Sequence, residues 1–193
     1  MTDTTTAADG PAYSTEAYAA VEKAGRSHRT TLYAPSVLEQ AAELLTDLWS
    51  AGERHGVTAS EWGWSVDLAS GALDVVSRRY ERPEKERTVE ETLTLARHLL
   101  EALTSDEIGL SAKPGPRASV VVERGDRTPR GGFHGDANVI VGISSNTGWD
   151  LAFNQNGAPL LSVSAPASQA GASQVAEIVR ALVHGELGNP FRR

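Results

Sequence analysis

Cysteine is absent from the 193-residue chain. That excludes a disulfide framework, a thiolate nucleophile, a Cys-ligated iron–sulfur cluster and a cysteine zinc knuckle. Long apolar runs are absent too, and no stretch approaches the roughly 18 uninterrupted apolar residues that a membrane span needs. The leading segment, Met1 to Pro11, carries Asp3 and Asp9, no basic residue and no apolar run. It does not resemble a signal peptide, so the expected location is cytoplasmic. Phosphate-cradling signatures (G-x-x-x-x-G-K-[S/T], G-x-G-x-x-G) and the H-E-x-x-H metal pair are missing. No serine lies in a G-x-S-x-G elbow. His28, His55, His98, His134 and His184 are scattered along the chain. Neither a metal nor a cofactor is expected.

Basic residues are the scarcer charge: 18 Lys and Arg stand against 25 Asp and Glu, a net charge of −7 with a pI near 5.2. Such a balance argues against nucleic acid as the main partner, because neutralising phosphates takes a basic face. It favours a basic protein partner through steering and complementarity. At 20.5 kDa the chain is expected to fold to about 8,900 Å² of surface and to bury roughly 70% of what it exposes when unfolded. That is enough for a core without disulfides or metal. A hydrophobic share of 40% against 22% charged excludes a wholly disordered chain.

Residues 1–14, rich in Thr, Ala, Asp and Gly, read as a disordered tail, and 189–193 as a flexible C-terminus. Between them, 15–188 read as one α+β domain. Tyr18, Ala19, Val21 and Glu22 suggest a short helix that Gly25 stops. A firmer helix starts at Ser36, whose spacing to Glu39 is that of a capping box, and carries Val37, Leu38, Ala41, Leu44, Leu45, Leu48 and Trp49 as its apolar stripe. From Trp62 the period changes to two: Trp62, Trp64, Val66 and Leu68 share a face, Ser70-Gly71 reads as a tight turn, and Leu73 and Val75 continue on a second strand. A β-hairpin is therefore expected there. A further helix starts at Thr88, with Glu91 as capping partner and Val89, Leu93, Ala96, Leu99, Leu100 and Leu103 as its stripe. Leu95 stands outside that stripe. Lys113-Pro114-Gly115-Pro116 breaks the chain. Four strands follow, around Val120–Val122, Val139–Ile143, Trp149–Phe153 and Leu160–Val163, and a last helix runs from about Ser173 to His184. The expected fold is an antiparallel sheet with about three amphipathic helices packed mainly on one face.

Two surfaces carry candidate chemistry. Trp62 and Trp64, if exposed, form a flat aromatic anchor, with Asp67 and Asp74 as charged rim. The Arg124–Asp136 loop holds Arg124, Arg127 and Arg130, whose paired donors suit a carboxylate or phosphate, so a small anionic ligand is a second kind of partner. In the same loop His134 and Asp136 are spaced so that, on a strand, a carboxylate could orient a histidine base. No nucleophile accompanies them, and no catalytic residue is assigned. The sequence thus points first to a noncatalytic protein-binding module, an adaptor, chaperone-like partner or immunity-type inhibitor. The alternative is a small-molecule enzyme or anion-ligand-binding domain that uses the 124–136 loop.

Overall fold

A computed structural model describes residues 11–28, 30–57, 66–103, 108–113, 117–124, 139–153, 161–183 and 186–187. Among these the elements are α1 (Thr15–Ser27), β1 (Thr31–Tyr33), α2 (Pro35–Arg54), α3 (Val66–Glu81), α4 (Val89–Leu103), β2 (Ile108–Lys113), β3 (Arg117–Arg124), β4 (Val139–Ser144), β5 (Trp149–Phe153), β6 (Leu161–Ser164) and α5 (Gln169–Val183). The class is α+β, as the sequence implied. The sheet order is β1-β6-β5-β4-β3-β2. β2 to β6 form an antiparallel meander, and β1 adds to its edge in parallel with β6. The sheet is therefore mixed, and it holds two strands that the sequence did not announce, β1 and β2.

Side-chain alternation sorts the sheet into two faces. Val120 pairs with Val141, Val141 with Leu151 and Leu151 with Leu161, so one face is a continuous row of buried aliphatic residues. Trp149 belongs to that face; it is buried and donates from Nε1 to the Pro166 carbonyl at 3.1 Å. On the opposite face Ser162 pairs with Asp150, Asp150 with Gly142, and Gly142 with Ser119. Apolar and polar rows thus alternate at the strand period, and only one of them joins the core.

Five helices carry the apolar faces, and they pack as two groups. α1, α2 and α3 pack on one another, α1 meeting β1 and α3 meeting β6; α4 and α5 pack together, with α4 against β2, β3 and β4. The buried core runs through both groups and the sheet without a break. Ser36 Oγ ties the groups, donating to Gln174 Oε1 of α5 at 2.6 Å. The expected Ser36–Glu39 box does not form, because Pro35 opens α2 and Ala34 is its cap. Proline suits that first position, where its missing N–H would have had no helical acceptor. The Thr88–Glu91 box does form: Thr88 N donates to Glu91 Oε2 at 2.7 Å and Glu91 N to Thr88 Oγ1 at 3.1 Å. The bonds to Thr88 hold the Glu91 carboxyl below the usual carboxylate range.

Three sequence expectations are corrected. Residues 66–81 are helical, not the second part of a hairpin. Ala69, Ala72, Leu73, Val76 and Ser77 are buried at helical spacing, whereas Val75 stands 51% exposed. In α4, Leu95 lies inward with Ala96, Leu99 and Leu103, while Val89 and Leu93 face out. α1 continues through Gly25 to Ser27. A methyl at Gly25 would sit 3.3 Å from the Tyr33 ring and 3.5 Å from Leu38, so this glycine serves close packing of α1 on its neighbours.

No helix among the described residues is long and apolar enough to cross a membrane.

Candidate functional site

Two candidate sites on the described molecule both involve α3. The first is its outward face. Asp67, Gly71, Asp74 and Arg78 recur at three- and four-residue steps and are all exposed. Helical periodicity puts them in one stripe, with Val75 beside it. Asp67 in the first turn and Arg78 in the last match the helix dipole. Gly71 is the odd member: a methyl there would meet nothing within 4 Å among the described residues, so no packing demand from them explains it. An interior helical glycine costs roughly 0.5–1 kcal/mol relative to alanine.

The second is a cavity of about 260 Å³ at the C-terminal end of α3, against the polar face of the sheet. Thr31, Ser162 and Asp150 stand side by side across β1, β6 and β5. Ser164 lies one pleat further along β6. Tyr80 and Glu81 close one side of the cavity, and Thr147 and Gly148 lie in the loop before β5. Gly148 is needed at that point, since a side chain would strike the Tyr80 carbonyl, 2.3 Å from its first carbon. The close approach lets Gly148 N donate to the Glu81 carbonyl at 2.8 Å, which fastens the loop to the helix end. Arg87 grips the other side of that loop. Its backbone N–H donates to the Ser145 carbonyl at 2.9 Å, and its guanidinium reaches the carbonyls of Ser144 (3.0 Å) and Thr147.

The electrostatics of the cavity are set by carboxylates. Asp150 is held by Arg117, whose Nε donates to Oδ2 at 3.1 Å and whose Nη2 pairs with Oδ1. Arg117 starts on β3 and must cross β4 to reach β5. It does so directly over Gly142, where any side chain would collide with the guanidinium. Burial lowers the Arg117 pKa from its usual value. Glu81 forms no ion pair among the described residues. Ser164, only 5% exposed, has a hydroxyl oxygen with no hydrogen-bond partner among them. An unpaired buried hydroxyl costs about 1–3 kcal/mol. No cluster of three or more His, Asp or Glu side chains fit for a metal occurs among the described residues.

A further polar contact lies at the α1–β1 junction. His28 Nδ1 meets the Tyr33 hydroxyl, and burial with the nearby Asp74 charge pushes the Tyr33 phenol up to about 12.

The residues singled out from sequence fall unevenly. Asp67 and Asp74 share the outward face of α3, two helical turns apart, and do not flank a hairpin turn. Arg124 is the last residue of β3. Trp62, Trp64, Arg127, Arg130, His134 and Asp136 lie outside the described residues. Thr31, Glu81, Asp150 and Ser164 were not picked out. A signal for part of the cavity was present: Leu161-Ser162-Val163-Ser164 alternates strictly, which puts two hydroxyls on one face of a strand.

Compared with family models, curated proteins and solved structures, the chain gives no match.

Proposed function

We propose that the protein is a noncatalytic protein-binding module, an adaptor, chaperone-like partner or immunity-type inhibitor, and that the outward face of α3 belongs to its contact surface. The observation that carries this reading is Gly71. It weakens a helix whose inward face is otherwise well packed, and the described residues make no close contact with it in return. A bare backbone between two exposed carboxylates, with Val75 alongside, lets a partner approach more closely than a side chain would allow. Interfaces place apolar contacts at the centre and charges at the rim, and Val75 with Asp67 and Asp74 follows that plan. A basic partner surface fits the two carboxylates and the net charge of −7. Trp62 and Trp64, the aromatic anchor expected from the sequence, precede α3 in the chain and lie outside the described residues.

The test is capture of a partner from native lysate by wild type, by Gly71→Gln and by Asp67→Lys/Asp74→Lys, with far-UV melts to check folding. Loss of one specific protein from both variants, with the melts retained, is expected. Equal capture by all three proteins removes α3 from the interface.

A further inference from the structure

We propose that β2 is the seam of a homodimer, in which two copies of the chain pair antiparallel through that strand about a two-fold axis perpendicular to the sheet. The edge itself is the first observation. β2 ends the sheet on one side, its register with β3 runs unbroken from Ile108↔Arg124 to Lys113↔Ser119, and no described residue bonds to its other side. An open edge invites a further strand, and monomeric proteins blunt theirs with short strands, bulges, prolines or charges. The far edge of this sheet is blunted: β1 has three residues, and α1 packs against it. β2 has six, Ile-Gly-Leu-Ser-Ala-Lys, with no bulge, no proline and a charge only at its end.

The side of α4 is the second observation. α4 lies on β2, β3 and β4, with α5 packed along it. Glu91, Leu95 and His98 share a cavity with Ala167, Ser168 and Gln169 at the start of α5, so that side of α4 faces α5. Helical geometry puts Val89 and Leu93 on the opposite side. α5 in turn is tied toward α2 through Gln174 and Ser36, which leaves α4 as the outermost helix over the β2 end of the sheet. Val89 (65% exposed) and Leu93 (37% exposed) therefore look past that edge.

A second copy of the chain is the occupant that answers both. An extended peptide would pair with β2 but leave the apolar side of α4 in water. In the two-fold pair both α4 helices lie on the same side of the joined sheet and run antiparallel, with their Val89–Leu93 sides turned toward each other. Opposed residues of an antiparallel pair share a face, so this symmetry requires a register centred on a residue, Leu110 or Ser111. Centring on Ser111 would set Ile108 against Pro114, which has no donor. Centring on Leu110 sets Ile108 opposite Ala112 and Gly109 opposite Ser111, apolar against apolar and small against small. The charges agree with that register. Glu107, the residue before β2 in the sequence, comes opposite Lys113 of the second copy, and symmetry makes the pair twice. Within one chain the length of β2 separates these two residues.

This inference does not depend on the partner reading, since it uses neither Asp67, Gly71 nor Asp74. The experiment is sedimentation equilibrium of the full chain over a dilution series, with amide exchange followed by NMR at its two ends. A species of twice 20.5 kDa is expected, with Kd in the micromolar range for a seam of one strand and one helix side. Alternate amides of Ile108–Lys113 should exchange more slowly at the high concentration, while those of β3 stay unchanged. Glu107→Lys and Lys113→Glu should each weaken the dimer about tenfold, because each sets like charges opposite one another at both ends of the seam. The double variant Glu107→Lys/Lys113→Glu should recover the wild-type Kd, a rescue that simple damage to the fold would not give. Leu93→Glu, at an exposed position, should weaken the dimer with its thermal melt retained. A monomer at every concentration overturns the proposal and leaves the edge to a strand of another protein. A dimer whose β2 amides ignore dilution, or one indifferent to Leu93→Glu or to the charge changes, overturns it as well.

Discussion

Two glycines within helices make opposite demands, and substituting each by alanine tests the packing on which the fold depends. Gly71 is in the interior of α3, exposed, with nothing among the described residues within 4 Å of where a methyl carbon would stand. Alanine there recovers helix propensity and restricts the unfolded chain, for roughly 0.5–1 kcal/mol of added stability. In a chain of this size each kcal/mol moves the midpoint by about 2–4 °C, so Tm should rise by about 1–4 °C. Gly171 sits in the first turn of α5, where the chain doubles back. Ser168 caps this turn, its Oγ accepting from Gly171 N at 3.1 Å, and the fold-back brings the Pro166 carbonyl oxygen within 1.8 Å of where the methyl carbon would stand. Both sides of that clash are backbone, so neither can swing away as a side-chain tip would. The same oxygen accepts from the buried Trp149 indole. Overpacking of this kind costs about 1–3 kcal/mol, and a strained or lost indole bond adds to it. Gly171→Ala should therefore lower Tm by about 2–12 °C. Thermal melts and urea midpoints of the two variants measure the contrast. Shifts of the same sign in both would refute the account of how α3 and α5 are seated.

Two other perturbations read the polar face and the α1–β1 junction. Asp150→Ala leaves the half-buried Arg117 without its carboxylate and should destabilise by about 1–3 kcal/mol, between the values for exposed and fully buried pairs. Gly142→Ala displaces the same guanidinium, so urea unfolding of the double variant should cost clearly less than the sum of the single ones; strict additivity would mean that Arg117 does not depend on a bare β4. Tyr33 has a folded pKa raised to about 12, chiefly by burial, so the folded state keeps a proton that the unfolded chain gives up near 10. Its contribution to stability is complete below pH 10 and is lost as pH rises from 10 to about 12. A phenolate absorbance titration should show a late step that Tyr33→Phe removes, and titration of all four tyrosines together near pH 10 with the fold intact would contradict it.

The sheet was legible where strands alternate over several residues, as Trp149–Phe153 does, or carry β-branched runs such as Val120–Val122. It was not legible in β1, a three-residue strand that exists because β6 offers an edge to pair with. Nor was it legible in β2, where Ile108–Lys113 includes Gly109 and only two large apolar residues. Such strands are defined by their partners, and a single sequence does not show partners. The cavity has the same character. Thr31, Ser162 and Asp150 are far apart in the chain and meet only through register. Arg117 gave no sign that it crosses β4, because the permission to do so is held by Gly142 on another strand.

Residues 66–76 hid their helix for a different reason. In 66–76 apolar residues fall at Val66, Leu68, Ala69, Ala72, Leu73, Val75 and Val76, a set dense enough to satisfy both periods over short windows. The strand period groups Leu73 with Val75 and sets Ala72 and Val76 opposite them. The helical period groups Ala69, Ala72, Leu73 and Val76 and turns Val75 outward. Length arbitrates: the amphipathic pattern continues through Ser77 and Tyr80, longer than a typical strand, and Ser70-Gly71 need not be a turn when Gly71 faces water. The two periods make opposite claims about one pair of neighbours. Val76 is 2% exposed and belongs to the hydrophobic core, so Val76→Asp buries a carboxylate there and should cost about 3 kcal/mol or more. Val75→Asp points into solvent and should change stability by no more than about 0.5 kcal/mol. Urea midpoints of the two variants give the answer directly. Equal damage from both, or greater damage at Val75, would mean that Leu73 and Val75 share a buried face after all, and α3 with its outward stripe would have to be given up.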